Sequence, residues 1–325
     1  MTSYWATHPI KQYSDFESQK SIFLSFFPVV NNIDLREINA ILSYHGLYRL
    51  KGYVKPFVRT NIQGKKHCTL DFSIISKTIL IDEDIRSIIL RYILMIDFKI
   101  AGSLSEVMSK KHGPYWYKNK SIFIADESVK ANSTIRYNKI IDSINKSNCE
   151  DPHPHPGVDS YHAKYGGQSD LPSWILRECM SFGFWERVFD CLNLDERTSI
   201  STNISFRLSY DSKKKKFLSP SDFISWFRSL TVLRNACAHN AIIINKNFSH
   251  NPAALDNHIP LNLPGPNVVS RLVAMKFLLR SIDESVSDRF CNELKIAITR
   301  YNQFGINEFI IKKILNIDIL KAEIF

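Results

Sequence analysis

Residues 82–113 read DEDIRSIILRYILMIDFKIAGSLSEVMSKKHG, and the spacing within them decides the fold class. Ile85, Ile88, Ile89, Tyr92, Ile93, Ile96, Ile100, Leu104 and Val107 recur at intervals of three and four, which lays a wide apolar stripe along one face of a helix. Strict alternation is absent and the run is too long for a strand. Asp82, Glu83 and Asp84 fall where a helix N-terminus favours negative charge. The spacing therefore predicts a helix that starts at these acids and ends at Lys110-Lys111-His112-Gly113-Pro114.

Working outward toward the N-terminus, residues 1–20 show no periodicity and read as a loop or a wrapping arm. Two helical segments are expected between Asp15 and His45. Asp34 caps the second, Leu35, Ile38, Ile41 and Leu42 form its face, and Gly46 is placed to stop it. Leu47–Tyr53 then reads as a turn in which either Arg49 and Lys51 reach RNA phosphates or the tyrosines pack and the cations stay solvated, and Asn61–Lys66 reads as a loop.

Toward the C-terminus, Tyr115-Trp116-Tyr117 reads as a packed corner and Ser133–Ile144 as a helix. The prolines of Asp151–Gly157 exclude a helix there. His153, His155 and His162 read as solvated residues, because no carboxylate or cysteine spacing beside them matches a metal site. Leu171–Trp174 opens a helix whose pattern resumes through Val188, Phe189 and Leu192 after a break at Ser181–Trp185. Lys213, Lys214, Lys215 and Lys216 form a charged run, either a solvated loop or a phosphate-steering patch. Ser219-Pro220-Ser221-Asp222 is a helix start, followed by a core face of Phe223, Trp226, Phe227, Leu230, Leu233 and Cys237. Val268–Asp283, Ser285–Thr299 and Asn307–Ala322 complete an all-α reading.

The bulk numbers narrow the function. The chain has 325 residues, enough for a sizeable core, and a formal net charge of +10 that favours an anionic partner, nucleic acid before membrane. No apolar run escapes charged interruption for long enough to span a bilayer, and no secretory leader is visible, so a cytoplasmic protein without membrane association is expected. The six scattered cysteines read as reduced, buried hydrophobes. No glycine-rich phosphate loop or metal motif appears, and no cofactor is expected.

Arg234-Asn235-Ala236-Cys237-Ala238-His239-Asn240 gathers a fixed cation, a carboxamide and an imidazole near the end of one helical run. A guanidinium fork matches phosphate oxygens, and an imidazole exchanges protons near neutrality. Together they can hold and cleave a phosphodiester; the alternative is that Arg234 pairs with a carboxylate while Asn235 and His239 hydrogen-bond backbone where the helix ends. On a regular helix Arg234 and His239 lie about 140° apart, whereas Asn235 and His239 share a face. Either the arginine reaches round, or the helix ends near Ala238, or a second copy of the chain completes the site.

This stretch is similar to the motif of the Abi-like (AbiD/AbiF-type) abortive-infection proteins of the HEPN superfamily, which pair an Arg and a His four to six residues apart. Leu47–Tyr53 with Pro56-Phe57 resembles that family's Tyr-Arg-Leu-x-Gly-Tyr segment, and Asp82 with Arg86 its Asp-x-x-Leu-Arg element. Gly113 with Trp116-Tyr117, Leu171–Trp174, Glu178 and Ser181-Phe182-Gly183 resemble its later blocks, so that the likeness covers roughly residues 40–245. Asn240 stands where the family has a second histidine, Asp97 where it has Glu, and Ala101 where it has Arg, while Asn245 fits the family's asparagine.

The resemblance implies an all-α HEPN-type bundle: an N-terminal helical segment (1–66), a core carrying the motif (67–248) and a C-terminal helical extension (249–325). It implies a homodimer that brings two motifs together and a metal-independent endoribonuclease restrained by a partner, which can be a small non-coding RNA. Arg234, Asn235 and His239 would be catalytic, with Asn240 and Asn245 accessory. Arg49, Lys51 and Lys213–Lys216 would bind RNA. The competing reading is a non-catalytic protein of the same fold that binds a structured RNA.

Overall fold

A computed structural model describes residues 13–27, 34–123, 130–150, 155–166, 169–205, 218–253 and 267–302. Among these there are eleven α-helices, a few short 3-10 and π-helical turns and one two-stranded antiparallel sheet, so the fold is all-α. The Lys213–Lys216 run, His153 and the helix expected at Asn307–Ala322 lie outside the described residues. The chain divides into two compact units, Met1–Glu83 and Asp84–Phe325.

In the first unit, α1 (Phe16–Leu24) starts at Asp15, whose carboxylate accepts the Ser18 N–H at 2.8 Å. Helix α2 (Leu35–Val54) starts at Asp34, which accepts from the Arg36 N–H in the same way. Gly46 does not end α2, as expected, but kinks it (φ 71°, ψ 154°), and the supposed turn Leu47–Tyr53 is its second, helical half. Leu50, Tyr53 and Val54 are buried there, and this tertiary packing carries the helix past the glycine. The expected loop Asn61–Lys66 is flanked by paired strands, β1 (Val58–Thr60) and β2 (Lys66–Cys68), in the register Val58↔Cys68, Arg59↔His67 and Thr60↔Lys66. Phe23, Phe27 and Phe72 meet edge to face at 5.4–6.1 Å.

Helix α3 spans Phe72–His112, 41 residues, and belongs to both units. It begins ten residues before the acids expected to start it. Ile75, Ile79 and Ile81 extend the apolar stripe backwards, and Asp82 is itself fully buried, accepting the Tyr53 hydroxyl at 2.9 Å. Its partner is thus a side chain of α2 rather than a helix dipole. At the other end Lys110, Lys111 and His112 occupy the last turn, and Gly113 takes up the left-handed φ of 84° that closes it.

The second unit holds the rest. Trp116, Tyr117 and Phe123 are buried, as expected of a packed corner, and the Tyr117 hydroxyl donates to the Leu171 carbonyl at 2.8 Å. Helix α4 (Lys130–Asn145) covers the expected 133–144 segment. The Asp151–Gly157 stretch ends in a helix after all: Pro156 opens α5 (Pro156–Tyr165), and His155 caps it by accepting the Gly157 N–H on Nδ1 at 3.2 Å. Helices α6 (Ser173–Cys179) and α7 (Phe182–Cys191) are separated by the cap residue Ser181, and α8 (Leu194–Ser205) follows.

Helix α9 (Pro220–Ala238) starts at Ser219, whose hydroxyl accepts the Asp222 N–H at 3.1 Å and donates to the Asp222 carboxylate at 2.7 Å. It packs on α7 through Phe182–Phe227 (4.7 Å) and Phe189–Phe223 (4.8 Å). It also packs on α8 and on α10 (Val268–Arg280), a helix buried nearly all round, which in turn pairs with α11 (Glu284–Asn302). Cys68, Cys179, Cys191, Cys237 and Cys291 are free thiols, and burial pushes the Cys179 and Cys191 thiols up to about 11.

Candidate active site at the end of helix α9

The Arg-x4-His stretch falls across the C-terminus of α9, with Arg234 inside the helix and His239 at its cap. The last helical residue is Ala238; His239 is the cap, with φ −89° and ψ 16°. Asn240 follows in the left-handed region (φ 56°). Its N–H donates to the Cys237 carbonyl at 3.1 Å, and the Ala241 N–H donates to the Ala236 carbonyl at 2.8 Å. These two bonds form a Schellman closure. Asparagine is among the few non-glycine residues that enter this region at modest cost, which gives position 240 a backbone reason for its identity.

Asn235 joins the cation to the imidazole-bearing residue. Its side-chain oxygen accepts from Arg234 Nη1 at 3.4 Å, and its carbonyl accepts the His239 N–H at 3.0 Å. Arg234 therefore leans toward the Asn235 face. Asn235, His239 and Asn240 are exposed and Arg234 is half-buried. The His239 imidazole has no hydrogen-bond partner among the described residues, and Arg234 Nε is buried without one. An open imidazole can exchange a proton, and a guanidinium that keeps donor capacity can receive an anion.

Asp97 of α3 faces this cation. Burial pushes its carboxyl up to about 6, against the pull of Arg234. Beside Asp97 along α3, Leu94, Phe98 and Gly102 line a groove of about 810 Å³ with Trp174 and Arg177 of α6. The Arg177 guanidinium stacks over Phe98 at 3.7 Å and lies 3.0 Å from where a Gly102 Cβ would stand, so glycine is what lets it cross the helix.

The segment behind His239 is irregular but tied down. Arg86 of α3, itself buried, donates from Nη1 to the Ala241 carbonyl at 3.1 Å. Ile243 and Ile244 are buried, and Asn245 turns the chain with φ 52° and a buried, unpartnered side-chain Nδ2. Further on, the fully buried Arg271 of α10 donates to the carbonyls of Ser249 (2.9 Å) and His250 (2.8 Å), and its guanidinium lies over Phe248. Trp226 Nε1 then holds the Ala253 carbonyl at 2.8 Å.

Sequence reasoning gave Arg86 no part in this turn and missed Arg271 altogether. For Arg271 one signal was available: a lone arginine inside the apolar run Val268–Leu279 is a candidate buried cation. Arg234, Asn235, His239 and Asn240 lie along the C-terminal turn of α9, and Asn245 lies on the segment that follows. Arg49 and Lys51 belong to the first unit, where Arg49 Nη2 meets the Tyr53 hydroxyl at 3.5 Å and Lys51 is half-buried. Among the described residues no group of three or more His, Cys, Asp or Glu could hold a metal ion, and no helix is long and apolar enough to cross a membrane.

A family model described as Abi-like protein matches residues 40–245. No curated protein and no solved structure matches the chain.

Proposed function

The chain belongs to the Abi-like protein family, and from that footing we propose that it is a HEPN-type, metal-independent endoribonuclease of a bacterial abortive-infection or toxin–antitoxin system. The observation that supports this reading is the Arg234–Asn235–His239 group at the closed end of α9, where the Asn235 side chain accepts from the Arg234 guanidinium, its carbonyl accepts the His239 N–H, and His239 is exposed. His239 would take the proton of the ribose 2′-hydroxyl as its oxygen attacks phosphorus. Arg234 would stabilise the charge on the phosphorane, and Asn235 would hold the arginine against the imidazole. The P–O5′ bond breaks, the leaving oxygen takes a proton, and the products are a 2′,3′-cyclic phosphate and a 5′-hydroxyl.

A single exposed imidazole supplies only one of the two proton transfers at a time, which favours a homodimer presenting two copies of His239 to one scissile bond. Leu94, Phe98 and Trp174 expose apolar surface in the groove beside Asp97 and offer a face for a second copy. Activity of this kind is toxic to its host cell unless restrained, and a net charge of +10 suits restraint by a small non-coding RNA.

Purified protein incubated with RNA in EDTA is expected to yield cyclic-phosphate ends, and His239→Ala to abolish both the cleavage and any growth inhibition in cells. Intact RNA together with undiminished toxicity of His239→Ala would overturn the reading. The second reading, a non-catalytic RNA-binding protein, draws on Asn240 in place of a histidine. RNA affinity without cleavage, even after any bound RNA has been stripped away, would favour it.

A further inference from the structure

From Ile38 to Leu70 the chain contains no Asp or Glu, yet it carries Arg49, Lys51, Lys55, Arg59, Lys65 and Lys66. Half of these cations sit on the β1–β2 hairpin. Its strands fix where the charges stand, because paired residues share a face: Thr60 with Lys66 on one side, Arg59 with His67 on the other. Lys55, Arg59, Lys65 and Lys66 are exposed. Among the described residues none of the four lysines (51, 55, 65 and 66) makes an ion pair, and Arg59 donates to the backbone carbonyls of Pro56 and Val58. A lysine on an open edge guards against edge pairing, but that task does not require every carboxylate to be absent from so long a stretch.

The hairpin is also stiff. At its tip the Asn61 side-chain oxygen accepts the N–H groups of Gln63 (3.0 Å) and Lys65 (2.9 Å). The Asn61 N–H donates to the Lys65 carbonyl at 2.9 Å, and Gly64 supplies the left-handed φ of 77°. Its base is pinned by the Cys68 N–H on the Phe26 carbonyl (2.6 Å) and the Thr69 N–H on the Phe57 carbonyl (2.9 Å). Ile62 stands fully exposed at the apex.

We propose that this hairpin is a docking ribbon for duplex RNA, its two cationic faces neutralising phosphates while Ile62 meets the groove floor. A stiff ribbon loses little freedom on binding. It has no exposed aromatic side chain on which an unstacked base could lie, which argues against single strands and for recognition of helix shape and phosphates. The amide and hydroxyl groups of Thr60, Asn61 and Gln63 suit 2′-hydroxyls. One isolated isoleucine is too little apolar surface to anchor the chain in lipid. The choice of RNA over DNA rests on the ribonuclease reading above; the basic ribbon does not.

The test uses the full chain carrying His239→Ala, so that bound RNA stays whole, and measures fluorescence anisotropy with a 20-base-pair RNA hairpin across a salt series. Lys65→Gln/Lys66→Gln is expected to weaken binding about tenfold at moderate salt and to lower the slope of log affinity on log salt by about 2. Ile62→Ser is expected to weaken duplex binding without changing that slope. Circular dichroism should show both variants fully folded, since these side chains are exposed. The proposal is overturned if the double substitution leaves duplex affinity unchanged, or if single-stranded RNA, duplex DNA or anionic phosphatidylserine vesicles bind through the ribbon as tightly as the RNA hairpin. Cleavage by the wild type with no role for the ribbon would leave the ribonuclease reading standing. Ribbon-dependent duplex binding without cleavage would do the reverse.

Discussion

Arg86 and Ala241 are 155 residues apart in sequence, and the guanidinium of one donates to the carbonyl of the other at 3.1 Å. Ala241 is the residue that closes the Schellman turn behind His239, so a buried cation on α3 fixes the backbone that carries the imidazole. Arg86→Met keeps the apolar stem and removes the donor. A charge-assisted bond to a buried carbonyl contributes roughly 1.5–3 kcal/mol, and urea denaturation should show a loss of that size. If the turn also positions His239 for catalysis, RNA cleavage by the folded variant falls through kcat more than through KM. Arg86→Lys, which keeps a donor, should recover part of both.

Asn240 is tested through its backbone. Asn240→Ala places a Cβ-bearing residue without a local side-chain hydrogen bond in the left-handed region and should cost about 1 kcal/mol. Asn240→Gly should leave thermal stability the same or slightly higher. The opposite order of melting temperatures would mean that the asparagine side chain, not its conformational tolerance, holds the turn.

Asp97 gives a pH signature. Its carboxyl is raised to about 6 from an ordinary 3.8, chiefly by burial and despite Arg234. The folded state therefore prefers the protonated acid. The stability this group confers is complete below its unfolded pKa and is lost as pH rises to about 6. Asp97→Asn removes that loss. Unfolding free energies of variant and wild type should coincide near pH 3.5, where urea midpoints remain measurable, and diverge in favour of the variant by up to about 3 kcal/mol at pH 7.5. A variant less stable than wild type at pH 7.5 would show that the Arg234–Asp97 attraction outweighs the burial cost.

Arg271→Met should lower stability by roughly 3 kcal/mol or more, because it strips the donors from the Ser249 and His250 carbonyls within a buried setting. Limited proteolysis should then cut within residues 241–253 faster than in wild type. Unchanged cleavage there would mean that Trp226 and Arg86 suffice to hold the segment.

The architecture was legible wherever one periodicity persisted. The stripes of α3 and α9 and the serine-proline start of α9 stand in the sequence as they stand in the fold. What failed were local signals that packing overrides. Gly46 reads as a stop, yet buried Leu50 and Tyr53 carry the chain on in helix beyond it. Asp82 reads as a helix start because three acids adjoin, and only the fold reveals Tyr53 beneath it. The hairpin was hidden because three-residue strands are too short to show alternation. Of the candidate site, Arg234, Asn235 and His239 were readable as a linear motif. Arg86 and Arg271 act through backbone carbonyls, and no spacing encodes the carbonyl a distant guanidinium will meet.

The ties on residues 241–253 also bear on when order is acquired. An irregular segment left loose beside a binding site must be immobilised each time a ligand arrives, and the lost freedom weakens every encounter. Here Arg86, Arg271 and Trp226 hold its carbonyls in the free protein. That entropy is surrendered once, at folding, and the backbone that carries His239 is set before any ligand arrives.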